Sequence, residues 1–148
     1  MTYSKELANN KRAFFDYFVE EKLECGIALQ GSEVKSVRAG QMNIKESYVR
    51  PINEELWLVG CHIAPYPFAG RFNPDPNRDR KLLLHKKELT KLAAKVNEKG
   101  LTLMALRAYA KGNHIKLEIG LCRSKKQFDK RKTIKEKDLK REISRGLR

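Results

Sequence analysis

Residues 114–122 read HIKLEIGLC, with Ile115, Leu117, Ile119 and Leu121 alternating with His114, Lys116, Glu118 and Gly120. A period of two over nine residues is a strand with one buried face. LTLMALRAY stands before it, across Lys111-Gly112-Asn113, so the two runs predict an antiparallel hairpin. A hairpin with an apolar face is not stable alone and needs further strands or a helix against it.

The rest of the chain supplies them. AFFDYFVEEKLECGIALQG is aromatic and β-branched, is closed by Gly31, and predicts a strand with an irregularity near Glu20 to Lys22. SEVKSVRAG predicts a short helix, with Ser32 as N-cap and Gly40 as stop. NIKESYVRPINEELWLVGCHIAP predicts two strands around a turn at Asn53 to Glu55. PYPFAGRFNPDPNRDR carries four prolines between Pro65 and Pro76 and predicts a long loop. KLLLHKKELTKLAAKVNEKG predicts a helix, because Leu89, Leu92, Ala93 and Val96 share a face and Gly100 ends it. Strands dominate without βαβ alternation, so a small closed or partly closed antiparallel β-barrel is the expected fold. Residues 1–9 are polar and expected to be loose, residues 10–123 to form one domain, and residues 124–148 to form a tail.

Charge limits the partners. The net charge is +14 over 148 residues. Residues 123–148 hold 12 Lys/Arg against 4 Asp/Glu, a net +8, which leaves +6 for the other 122. Such an excess favours a polyanion, nucleic acid first and an anionic membrane surface second. No stretch is long and apolar enough to span a bilayer, and the N-terminus has no apolar signal core, which points to a cytoplasmic protein. The tail has no aromatic after Phe128, yet Thr133-Ile134-Lys135-Glu136 is a capping box and Leu139, Ile143 and Leu147 recur every four residues. It reads as a segment disordered when free and helical on a partner, or as a plain solubilising tail.

Chemistry for catalysis is absent from the pattern. His62, His85 and His114 are isolated, and Cys25, Cys61 and Cys122 are spaced as buried free thiols rather than ligands. No P-loop, dinucleotide fingerprint or nucleophile elbow occurs. Asp75 and Asp79 sit in turn composition and lack a partner base. No cofactor or metal is implied. Binding remains. In a strand, Phe14 and Phe18 would point one way and Phe15 and Tyr17 the other, leaving one pair to stack on unpaired bases unless all four are core. Lys11 and Arg12 precede them, and Arg80 and Lys81 would extend a basic stripe.

NKRAFFDYF, LECGIALQGSEVKSVRAG, APY, DPNRDRKLLLHKKEL and KKQFDKR occur in an order that resembles the SmpB family, the tmRNA-binding proteins of bacterial trans-translation. The resemblance runs from Asn10 to Arg131. It implies an oligonucleotide-binding-type β-barrel flanked by two or three helices, with a flexible basic C-terminal tail. It implies a monomer that holds the tRNA-like domain of tmRNA and enters stalled ribosomes, with elongation factor Tu engaged indirectly through alanyl-tmRNA. The tail would occupy the empty mRNA channel. By matched position, Asn10, Glu24 and Leu83 are the implied tmRNA contacts, although Leu83 reads as core from its apolar run alone. Lys125, Lys126, Phe128, Asp129, Lys130 and Arg131 are the implied contacts to small-subunit rRNA near the decoding centre. Ser124 replaces the family's glycine, and Phe128 stands where many members carry His. A ribosomal or ribosome-assembly protein that binds rRNA would share this composition.

Overall fold

The structure, a computed structural model, describes residues 4–125. Within them the order is β1 (Ser4–Asn9), α1 (Lys11–Asp16), β2 (Tyr17–Ile27), α2 (Gly31–Arg38), β3 (Met42–Asn43), β4 (Tyr48–Ile52), β5 (Glu55–Val59), β6 (His62–Ile63), β7 (Arg80–Leu83), α3 (Lys86–Lys99), β8 (Thr102–Lys111) and β9 (His114–Ser124). Seven strands form one sheet in the order β1-β8-β4-β5-β7-β2-β9, and β8 also pairs with β9. Every pairing is antiparallel. Six strands thus close into a ring, and β1 lies along β8 beside β4. A ring-like antiparallel sheet with three helices is consistent with an oligonucleotide-binding-type fold.

The hairpin that constrains the chain is its centre. Lys111 pairs with His114 across Gly112-Asn113, with Gly112 at φ +60°. That two-residue turn matches the twist of the strands it joins. Leu117 and Ile119 are fully buried in the main core with Leu56, Leu58, Leu103 and Ala105. The β4–β5 turn falls at Asn53 and Glu54, both at positive φ (48° and 63°), where a primed hairpin turn requires it. The three cysteines are buried free thiols.

Four local expectations are corrected. Residues 4–9 are not loose, because β1 pairs with β8 from Ser4–Lys111 to Asn9–Arg107. The run from Ala13 to Asp16 is helical rather than extended. Asn10 caps it, with Oδ1 accepting from the Ala13 N–H at 3.3 Å, and this local bond outweighs the aromatics' strand preference. The strand begins at Tyr17, and its register slips between Val19 and Glu21, within the irregular stretch expected from the sequence. Ser32 is not a cap, since α2 starts at Gly31 and its N-cap is Gln30. Glu33 Oε1 accepts from the Gln30 N–H at 2.9 Å while the Gln30 side chain accepts from the Glu33 N–H. Finally, Lys81 to Leu83 belong to β7, because Leu82 turns inward and Leu83 outward, a strand's alternation rather than a helix's. α3 then runs from Lys86, with Leu92 in the core and Gly100 ending it at φ +62°.

Candidate RNA-binding site

Glu24 on β2 and Leu83 at the end of β7 lie 59 positions apart, and the sheet brings them together. β2 pairs with β7 at Gly26–Leu83, and both residues line one cleft of about 430 Å³ with Gly26, His85, Glu88 and Lys116. Leu83 is 51% exposed, so the core role suggested by its apolar run is overturned. Gly26 is what lets it lie there. A Cβ at position 26 would stand 3.2 Å from the Leu83 Cβ, tighter than ordinary packing.

Tyr109 and Lys111 on β8 reach Glu24 from the far side of β9. Glu24 Oε2 accepts from the Tyr109 hydroxyl, and Oε1 lies 3.5 Å from Lys111 Nζ. The Tyr109 hydrogen bond, which exceeds the opposing effect of burial, holds the Glu24 carboxyl below its ordinary range, with Lys111 and Lys116 adding to it. Burial and the same hydrogen bond push the Tyr109 hydroxyl upward. The Arg107 guanidinium rests 4.8 Å from the Tyr109 ring centre. The lip of the cleft is therefore an ionised carboxylate fixed by a phenol, with cations around it. Such a group is suited to accept from base amino groups and not to meet phosphate.

The other expected contacts separate into surface and interior. Lys11 and Arg12 are exposed on α1, with Arg12 Nε 3.3 Å from Asp16. Lys81 is partly exposed and pairs with Glu55 at 3.2 Å. Asn10 is fully buried, and its Nδ2 donates to the Ala105 carbonyl at 2.9 Å, so both ends of its amide are used inside. Arg80 is fully buried too, which removes it from any surface stripe. It donates to Glu33 Oε2 through Nε at 2.9 Å and Nη2 at 2.7 Å, to the Cys61 carbonyl at 2.7 Å, and to the Pro76 carbonyl at 3.0 Å.

Sequence reasoning missed Glu33, Arg78 and Tyr109. Glu33 is 3% exposed and binds both Arg78 and Arg80, tying the proline-rich loop to α2. Burial pushes its carboxyl up, but bonds from Arg78, the Gln30 N–H and Arg80 together bring it below the ordinary value. The capping-box spacing from Gln30 to Glu33 was the available signal.

At the seam, Lys125 is the last residue described. Its N–H donates to the Asp16 carbonyl at 3.0 Å and its Nζ to the Phe14 carbonyl at 3.2 Å, so it closes the C-terminal end of α1. Its Nζ and the Arg123 guanidinium lie 5.0 and 4.9 Å from the Phe18 ring centre, and Lys22 Nζ lies 5.4 Å from that of Phe14. Phe14, on α1, and Phe18, on β2, thus each meet cations and do not share one face of a single strand. Lys126, Phe128, Asp129, Lys130, Arg131 and the expected tail helix lie outside the described residues.

The family described as "SmpB protein" matches residues 7–148. An SsrA-binding protein of Desulfitobacterium hafniense is 51% identical over 144 residues, covering 97% of this chain and 92% of its own. One from a Sulfurihydrogenibium species is 53% identical over 144 residues, covering 97% and 95%. The solved structure "tmRNA-SmpB: a journey to the center of the bacterial ribosome" matches with a TM-score of 0.63 and 43% identity over 85% of each chain. With half its residues shared along nearly its whole length, and with a ring-like sheet that matches a solved tmRNA-SmpB structure, this chain belongs to the SmpB family.

Proposed function

We propose that this protein binds the tRNA-like domain of tmRNA and carries it to stalled ribosomes for trans-translation. What carries the reading is about 50% identity to SsrA-binding proteins along 97% of the chain. The cleft that unites Glu24 with exposed Leu83 supports it, since two residues implied as tmRNA contacts occupy one surface. Glu24 accepts from base amino groups there, and Leu83 offers an apolar face to a base or sugar. Lys11, Arg12 and Lys81 add phosphate contacts that position the RNA. Asn10 and Arg80 act from the interior, Asn10 by fixing α1 and Arg80 by fixing the loop before β7.

The finer reading follows the family. The chain acts as a monomer in the cytoplasm, as a binding protein rather than a catalyst. Residues Lys126 to Arg131 meet small-subunit rRNA, with Phe128 stacking on a base. The remaining tail fills the empty mRNA channel, and elongation factor Tu is engaged only through alanyl-tmRNA. No helix among the described residues is long and apolar enough to cross a membrane, and no group of three metal-ligating side chains occurs among them.

Titration with the isolated tRNA-like domain tests this reading. Glu24→Ala and Leu83→Ala, both at exposed positions, are expected to weaken binding by about 1–3 kcal/mol each. Unchanged curves for both folded variants would refute the cleft as the site. Stoichiometric presence on all ribosomes without copurifying tmRNA would instead favour a ribosomal protein.

A further inference from the structure

The loop joining β6 to β7 holds two large apolar side chains in solvent. Phe68 is 86% exposed and Phe72 72%, the highest values among the exposed large hydrophobic residues described. Neither contributes to the core, and burying either ring would have been favourable. The loop is nonetheless built and not slack. Asn73 Oδ1 accepts from the Tyr66 N–H at 2.9 Å, and its Nδ2 donates to the carbonyls of Tyr66 at 2.9 Å and Gly70 at 3.1 Å. The Ala69 and Phe72 N–H groups donate to Tyr66 and Ala69 carbonyls at 3.1 and 3.0 Å, and the prolines restrict the flanks.

Cations accompany the rings. The Arg71 guanidinium lies 5.2 Å from the Phe72 ring centre, and Lys35 of α2 reaches the Tyr66 ring at 5.3 Å. Tyr66 and Phe68 meet edge to face at 5.4 Å, and Phe68 stays almost wholly exposed. Exposed aromatic faces on a braced backbone, interleaved with guanidinium and ammonium groups, are the chemistry that holds unpaired nucleobases. An apolar protein partner would use the rings but would have little need of Arg71 and Lys35 beside them. The cleft of Glu24 and Leu83 contains no residue of this loop.

We propose that the Tyr66–Asn73 loop is a second RNA contact, a platform on which Phe68 and Phe72 stack one or two unpaired nucleotides while Arg71 and Lys35 face the adjoining phosphates. The platform rests on the reading of the protein as RNA-binding but not on the Glu24 cleft. Its tests are arranged so that the two claims fail separately.

The probe is a single-stranded oligouridylate of twelve nucleotides, followed by the tRNA-like domain of tmRNA. Phe68→Trp places an indole at the platform, and unsubstituted protein corrects for Trp57. The indole is expected to be quenched by the oligonucleotide. Phe68→Ala/Phe72→Ala is expected to lose roughly tenfold in oligonucleotide affinity for each stacked base. Its log–log salt slope should be unchanged, while Arg71→Ala lowers that slope by about 0.7. Tight binding of the tRNA-like domain by unsubstituted protein, with no quenching and no loss in the double variant, would overturn the platform and spare the proposed function. Quenching and ring-dependent binding of the oligonucleotide without affinity for the tRNA-like domain would do the reverse. Ring-dependent capture of a ribosomal protein without quenching would also count against the platform.

Discussion

Replacing Glu33 by Ala leaves the Arg80 guanidinium, 0% exposed, without its counterion. Its Nη1 and Nη2 keep the Cys61 and Pro76 carbonyls, but two charge-assisted bonds at 2.9 and 2.7 Å are lost. Arg78 and the Gln30 N–H lose the same acceptor. Orphaning a buried charge in this way costs about 3–5 kcal/mol, a large part of a total stability of roughly 5–15 kcal/mol. The assay is urea unfolding followed by the fluorescence of Trp57, the sole tryptophan, which sits on β5 opposite Lys81, the neighbour of Arg80. With a urea slope of about 1–3 kcal/mol per molar, the midpoint should fall by about 2 M. Glu33→Leu/Arg80→Met should recover part of the loss, because it removes the fully buried charge, while Arg78, the Gln30 N–H and the Cys61 and Pro76 carbonyls still lose their partners. Acid should reproduce the effect. The folded-state pKa of Glu33 is depressed, so its contribution is complete above the unfolded value and disappears as pH falls through the folded one. A midpoint shift under about 0.5 M for Glu33→Ala would refute the claim that this pair fixes the loop.

Tyr109→Phe removes the main cause of the low Glu24 pKa, so that carboxyl should titrate at higher pH by NMR. An unmoved titration would show that Lys111 and Lys116 govern it. Asn10→Ala should cost about 1–2 kcal/mol in thermal or urea unfolding, through the lost cap and the unpaired Ala105 carbonyl. Equal stability would contradict its interior role.

Long-range periodicity made much of the fold legible. The hairpin around Gly112, the primed turn at Asn53 and Glu54, and the face of α3 that includes Leu92 all follow from spacing and turn chemistry. What failed was local. Ala13 to Asp16 carry strand-forming residues, yet the Asn10 cap at one end and Lys125 at the other hold them as a helix, and both the Ala105 carbonyl that anchors Asn10 and Lys125 itself lie about a hundred residues away in sequence. The site was half legible for the same reason. Glu24 and Leu83 could be named by matched position, but a basic patch read along the chain cannot distinguish partly exposed Lys81 from its fully buried neighbour Arg80. That distinction depends on Glu33, 47 residues upstream, and on the Cys61 carbonyl between β5 and β6.

The described body is expected to hold tmRNA while the residues after Lys125 perform the ribosomal step. Lys125 belongs to the body, because it closes α1, so the informative cut is immediately after it. The measurement is an in vitro translation reaction on an mRNA lacking a stop codon, scored for tagged product, beside titration of the same truncated protein with the tRNA-like domain. Nearly full affinity is expected, with tagging abolished. Tagging at the full rate by the truncated protein would contradict it and reduce residues 126–148 to a solubilising appendage.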